Sequence, residues 1–238
     1  MRAVARIAPF LDHTLLAPEA TAPDIDQLCD EAVRHGMAAV CVHAAWVSRC
    51  AARVGGSGVA VAAVVGFPSG ASLSATKAFE AARAVHDGAR ELDMVASLWA
   101  LKAGDWRYAE RDVAETVRAA DGALVKVIIE SALLTPQEIV RACEVARDGG
   151  AGFVKTSTGY HARGGATTAA VRLMRRTVGD AMGVKASGGI RDCATAAAMF
   201  AAGATRIGTS RGAALAECAD AGPRPLVALE ADTPGEAS

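Results

Sequence analysis

The feature that most constrains this chain is its rhythm. Short runs rich in Val, Ile, Leu and Ala alternate with longer Ala-rich stretches of helical periodicity over most of its length. The runs predict strands at Ala38–Val42, Val59–Gly66, Glu91–Ala96, Leu124–Glu130, Phe153–Thr158, Gly183–Ser187 and Thr205–Thr209, with room for a short one within Ile7–Thr14. The helical stretches carry their own punctuation. Thr21-Ala22-Pro23-Asp24 offers a capping Thr, a helix-starting Pro and an acid before Ile25, Leu28 and Cys29, and that pattern stops at Gly36. Thr135-Pro136-Gln137-Glu138 reads as a capping box ahead of a helix ending near Gly149-Gly150. Asp192 reads as the cap of the helix through Met199 and Phe200.

Strands alternating with helices imply parallel strands joined by right-handed crossovers. Eight such units in about 220 residues make a compact single-domain (β/α)8 TIM barrel. The alternative is an open doubly wound sheet, which the lack of GxGxxG after the first strands disfavours. The barrel domain is expected over residues 1–219. Residues 220–238, rich in Ala, Pro and Gly without periodicity, are expected to form a partly ordered tail.

Composition excludes several function classes. Of 238 residues, 52% are hydrophobic and 4% aromatic, enough for a sizeable core of small aliphatic side chains. With 25 basic and 26 acidic residues the formal net charge is −1, so neither nucleic acid nor an anionic membrane is an expected partner. The first ten residues do not read as a signal peptide, and no run approaches the ~20 apolar residues of a membrane span. The six cysteines are scattered and read as free, mostly buried thiols of a cytoplasmic protein. No His/Cys/Asp grouping has metal-ligand spacing, so no metal is expected.

Charge inside the strands is the chemical signal. Asp93, Lys126, Lys155 and Lys185 each interrupt an apolar strand, and an isolated buried ammonium costs several kcal/mol unless it is paired or neutralised. Three lysines directed into one barrel point to a desolvated amine that attacks a carbonyl, with a carboxylate and a second lysine to move protons. Spacing alone leaves open which lysine is the nucleophile. Glycines follow the predicted strand ends at Gly159, Gly164-Gly165, Gly188-Gly189 and Gly208, where bare backbone N–H groups can approach an anion. With Arg191 and Ser210 beside them, these loops point to a phosphorylated substrate. His13 beside Asp12 reads as a structural hydrogen-bonding residue, and Arg172, Arg175 and Arg176 as the solvated face of a helix.

From about Phe10 to Ala214 the chain resembles the deoxyribose-phosphate aldolases, class I enzymes that form a Schiff base. The matching segments, in order, are Leu11-Asp12-His13-Thr14-Leu15-Leu16, Val64–Pro68, Glu91–Val95, Val125–Glu130, Phe153–Gly159, Gly183–Arg191 and Ala204–Ser210. The resemblance implies reversible cleavage of 2-deoxy-D-ribose 5-phosphate to glyceraldehyde 3-phosphate and acetaldehyde, within deoxyribose catabolism and without a cofactor. It implies Lys155 as the Schiff-base nucleophile, Lys185 as the ammonium that lowers its pKa, and Asp93 as the acid/base. It places Thr14 and Lys126 at the substrate, and Gly159, Gly188, Gly189, Gly208 and Ser210 around its phosphate. The loop Tyr160–Gly165 is a residue longer than in many relatives, and Arg211 stands where a serine is common. Alternatives are another lysine-dependent aldolase acting on a different sugar phosphate, or a non-catalytic phosphometabolite-binding barrel. Ala-rich exposed helix faces lead us to expect a homodimer or other homo-oligomer.

Overall fold

A strand that is apolar on both faces needs cover on both, and closing the sheet on itself supplies one of them. The computed structural model describes residues 7–218 and shows this solution. The strands are β1 (Leu11–Thr14), β2 (Ala39–Val42), β3 (Ala60–Val65), β4 (Glu91–Val95), β5 (Leu124–Ile128), β6 (Phe153–Lys155), β7 (Gly183–Ser187) and β8 (Arg206–Thr209). They close into a barrel in sequence order, and each neighbouring pair is parallel. Around it lie α1 (Ala22–His35), α2 (Val47–Val54), α3 (Ser74–His86), α4 (Leu98–Ala103), α5 (Trp106–Ala119), α6 (Pro136–Asp148), α7 (Thr168–Val178), α8 (Cys193–Ala201) and α9 (Gly212–Ala216). This is the single-domain (β/α)8 barrel expected from the sequence. The tail expected over 220–238 lies outside the described residues.

The local signals act where they were read. Thr21 and Asp24 form a capping box at α1, which ends on Gly36 in the left-handed conformation. Thr135 and Glu138 form another at α6, and Asp192 accepts from the Thr195 backbone N–H at the start of α8. The strand ends differ more. The first strand begins only at Leu11, because Pro9 has no N–H for a ladder and sits in a 3-10 turn over Ala8–Phe10. Strand β6 stops at Lys155; beyond it the Thr156 hydroxyl donates to the Ser187 carbonyl, and the Thr158 N–H and hydroxyl donate to Glu130.

Two expectations fail. Arg175 does not face solvent with its neighbours. It is buried, donating from Nε to the Gly203 carbonyl at 2.9 Å and from Nη1 to the Met182 carbonyl at 2.8 Å. It thus satisfies buried carbonyls in the turns that follow α7 and α8, where the backbone has no regular partner. The cysteines are not all free. Cys193, in the first turn of α8, and Cys218, just beyond α9, form a disulfide with a Cα–Cα separation of 5.6 Å. Only the folded chain brings these two together. Cys29, Cys41, Cys50 and Cys143 are free and buried.

Between α3 and α5 lies a fully buried ion pair that sequence patterning does not reveal. Lys77 Nζ donates to Asp112 Oδ2 at 2.6 Å, to the Val95 carbonyl at 2.9 Å and to Ser97 Oγ at 3.1 Å. Gly66 is needed beside it, since a Cβ there would lie 3.0 Å from the Lys77 side chain at a backbone φ of +62°. Removing one partner of such a pair strands a charge. Asp112→Ala should therefore lower the unfolding free energy by about 3–5 kcal/mol in denaturant titration, whereas Lys77→Met with Asp112→Leu should cost far less.

Candidate active site

Strand register brings the charged residues to common levels inside the barrel. Asp93 on β4 stands opposite Lys126 on β5, and Lys155 on β6 opposite Lys185 on β7. Lys126 Nζ lies 2.7 Å from Asp93, 2.6 Å from Glu91 and 3.5 Å from Asp12. Asp93 Oδ2 accepts from both Lys155 at 2.7 Å and Lys185 at 2.6 Å. Lys185 also pairs with Asp12, and Arg206 on β8 reaches Asp12 at 2.6 Å. Asp12, Glu91 and Arg206 were absent from the expected set. The signal that identified the lysines, a charge within an apolar strand, was present at all three.

The arrangement differentiates the three lysines by how well their charge is supported. Three carboxylates (Asp12, Glu91, Asp93) face four cationic side chains (Lys126, Lys155, Lys185, Arg206). One cation is therefore left without a counter-charge, and the surroundings of each group select it. Burial opposes the charge on Lys126, but Asp93, Asp12 and Glu91 outweigh it and raise its pKa. Burial likewise opposes Lys185, which Asp12 and Asp93 hold charged, so its pKa also rises. At Lys155 burial dominates. Asp93 resists it alone among the strand carboxylates and the Lys185 ammonium adds to it, so the Lys155 pKa falls. Asp93 is buried too, yet the three ammoniums hold it far below the usual carboxylate range.

Above this cluster a chamber of about 360 Å³ opens at the C-terminal ends of the strands. Lys155, Thr14, Gly159, Gly188, Gly189, Gly208 and Ser210 all line it, as does Arg191. Lys126, Lys185 and Asp93 do not; they are fully buried among their ion-pair partners. Two glycine loops meet backbone to backbone at the rim, where a Cβ on Gly165 would collide with the Gly188 carbonyl oxygen. Gly188 and Gly189 have φ of +86° and +84°, which leaves this stretch of backbone bare towards the chamber. Gly208 is required for a different reason, because a Cβ would come within 2.9 Å of the Lys185 side chain. Cys41 is a buried thiol 3.9 Å from Asp93. His13 has the structural role expected of it, bonding Glu31 at 2.7 Å. Among the described residues, no group of three or more His, Cys, Asp or Glu side chains could hold a metal ion.

A parallel barrel with one under-compensated amine at the floor of a glycine-rimmed chamber defines a class of lysine-centred β/α barrels. Within that class, this chain belongs to the DeoC/LacD family of aldolases, whose model matches residues 6–216. A deoxyribose-phosphate aldolase of Actinobacillus succinogenes is 52% identical over 209 residues, covering 88% of this chain and 93% of the relative. Deoxyribose-phosphate aldolase 1 of Cutibacterium acnes is 56% identical over 209 residues, 88% of this chain and 96% of that protein. Among solved structures, the tetrameric deoxyribose phosphate aldolase of Aeropyrum pernix superposes with a TM-score of 0.83 at 34% identity, covering 89% of both chains.

Proposed function

We propose that this protein catalyses reversible aldol cleavage of 2-deoxy-D-ribose 5-phosphate to D-glyceraldehyde 3-phosphate and acetaldehyde through a Schiff base on Lys155, serving deoxyribose catabolism. The observation that carries this reading is the excess of one cation in the barrel floor, which falls on the one lysine of the cluster that lines the chamber. The neutral amine attacks C1 of the open-chain sugar, and loss of water leaves a protonated imine. When the C3 hydroxyl gives up its proton, the C2–C3 bond breaks and its electron pair moves into the imine as an enamine. Glyceraldehyde 3-phosphate departs. Protonation at C2 and hydrolysis release acetaldehyde and restore the amine.

Asp93, held ionised, accepts hydrogen bonds and relays the proton through Lys185 or water rather than serving as a standing acid. Lys185 keeps an ammonium beside the nucleophile, and Lys126 holds Asp93 in place from below. Gly159, Gly188, Gly189, Gly208 and Ser210 seat the phosphate, with Thr14 alongside the sugar. Remote binding of the phosphate orients the reacting carbons over Lys155.

Borohydride added with substrate should trap a covalent adduct, and mass spectrometry should map it to Lys155. An adduct on Lys185, or none on an active preparation, overturns the assignment. Cleavage of 2-deoxyribose 5-phosphate should far exceed that of 2-keto sugar phosphates. A pH profile offers a separate check. Because burial depresses the Lys155 pKa, the amine stays neutral below the ordinary lysine value of about 10.4, and kcat/KM falls only as pH drops through the depressed value. Lys185→Ala removes a neighbouring cation and should move that acid limb to higher pH. A limb that stays put would show that Lys185 has no electrostatic hold on the amine.

We further propose that the chain assembles as a homo-oligomer, with the exposed Leu73, Phe79 and Trp99 side chains as the apolar surface it would cover. Light scattering in solution tests this. No helix of the described residues is long and apolar enough to cross a membrane.

A further inference from the structure

A chain of contacts crosses the barrel mouth and is not used by the chemistry above. It starts at Glu130, just past β5, a buried residue with a backbone φ of +50°. Non-glycine residues rarely adopt this conformation, and it is kept only where surrounding contacts over-determine it. Glu130 Oε2 accepts from the Thr158 backbone N–H at 3.1 Å and from Thr158 Oγ1 at 2.6 Å. Thr158 Oγ1 in turn accepts from the Tyr160 N–H at 3.1 Å. The Tyr160 hydroxyl then donates to the Leu16 carbonyl at 2.7 Å, on the loop after β1. That same carbonyl lies 3.1 Å from His43 Nε2. The Tyr160 ring meets Phe67, on the loop after β3, edge-on at 5.2 Å between centroids, and Phe67 meets His43 at 5.8 Å.

Strand order turns this chain into a partition. A bar from the β6 loop to the β1 loop leaves β7 and β8, with their glycine loops, on one side and β2 to β5 on the other. Lys155, Tyr160, Leu16, Gly188 and Ser210 line one chamber on the glycine side. Behind the bar, Leu16 and Phe67 pack on the small apolar residues Ala39, Cys41, Ala62 and Val64. The Tyr160 ring is half exposed, so its hydroxyl anchor and Phe67, rather than general burial, hold it in place.

We propose that Tyr160 is a specificity-determining residue for the acceptor aldehyde, forming the wall that confines the acceptor's carbon chain between Lys155 and the glycine loops. Glu130 is a positioning residue that acts through Thr158. The inference rests on the lysine Schiff-base reading and identifies what limits the width of that site. An extended acceptor ending in phosphate fits between bar and glycine loops, while a bulky or branched aldehyde meets the ring.

The test is the synthetic direction with acetaldehyde as donor, comparing glyceraldehyde 3-phosphate with 3-phenylpropanal as acceptors. Steric discrimination of this kind amounts to about 10–200-fold, so Tyr160→Ala should lower the kcat/KM ratio between the two by at least about tenfold. Tyr160→Phe, which keeps the ring and loses the anchor, should lower it by a smaller factor. Glu130→Ala should shift it in the same direction. Borohydride trapping of acetaldehyde on Lys155 should proceed in all three variants, showing an intact nucleophile. A ratio unchanged in Tyr160→Ala, with trapping intact, overturns the wall. A Glu130→Ala variant that loses stability but keeps the wild-type ratio overturns the positioning role. Failure of trapping in the wild-type protein would instead defeat the Schiff-base reading itself.

Discussion

Lys155→Ala should abolish turnover while leaving the fold at least as stable as before. Loss of a covalent nucleophile commonly costs several powers of ten, so kcat/KM for deoxyribose 5-phosphate cleavage should fall by about 10⁴-fold or more, with no adduct after borohydride. Stability should move differently, because Lys155 has a single carboxylate partner, Asp93, and shares it with Lys126 and Lys185. Asp93 keeps Lys126 and Lys185 as partners at 2.7 and 2.6 Å when Lys155 is gone. Thermal unfolding of Lys155→Ala is therefore expected at or above the wild-type temperature. A large drop would mean that Lys155 is charged and structurally paired at rest, and its nucleophilicity would then need an origin other than a missing counter-charge.

Asp93→Asn should have the opposite profile, damaging both fold and activity. Asp93 is the carboxylate shared by Lys126, Lys155 and Lys185. Neutralising it leaves Asp12 and Glu91 to balance two obligate ammoniums and Arg206 in a fully buried cluster. Breaking one side of such a network typically costs about 3–5 kcal/mol, readable as a shift of the denaturant midpoint. The Lys155 pKa should fall further, since Asp93 is the group that now raises it. A more neutral amine will not rescue turnover. On the proposed mechanism the relay for the C3 hydroxyl proton is lost, and general acid–base assistance accounts for about 10²–10⁴-fold. An Asp93→Asn protein with wild-type stability would show that the three ammoniums do not depend on this carboxylate.

The legible parts of this molecule were those decided within a few residues. Capping at Thr21, Thr135 and Asp192 depends on side chains reaching their own helix, so those starts could be read directly. The charged strand positions Asp93, Lys126, Lys155 and Lys185 stood out because each interrupts an apolar run. Strand ends were harder. Thr156, Ser157 and Thr158 extend a β-branched run, yet past Thr156, whose N–H still reaches the Lys185 carbonyl, Thr158 turns its N–H and hydroxyl to Glu130. Arg175 and the Cys193–Cys218 bond were illegible for the same reason: their partners are distant in sequence and unrelated in pattern.

The sequence by itself determined the barrel, through an alternation of doubly buried strands with amphipathic helices that few other architectures can satisfy. It also determined the inventory of reactive groups and, through the ordered family motifs, the chemistry to expect. Only the tertiary structure decided which ammonium is least supported by its surroundings. That choice depends on Asp12, Glu91 and Arg206 joining the lysines at register positions set by barrel closure. Electrostatic energy in a buried cluster is a property of all its members at once, and no local stretch of chain contains them all.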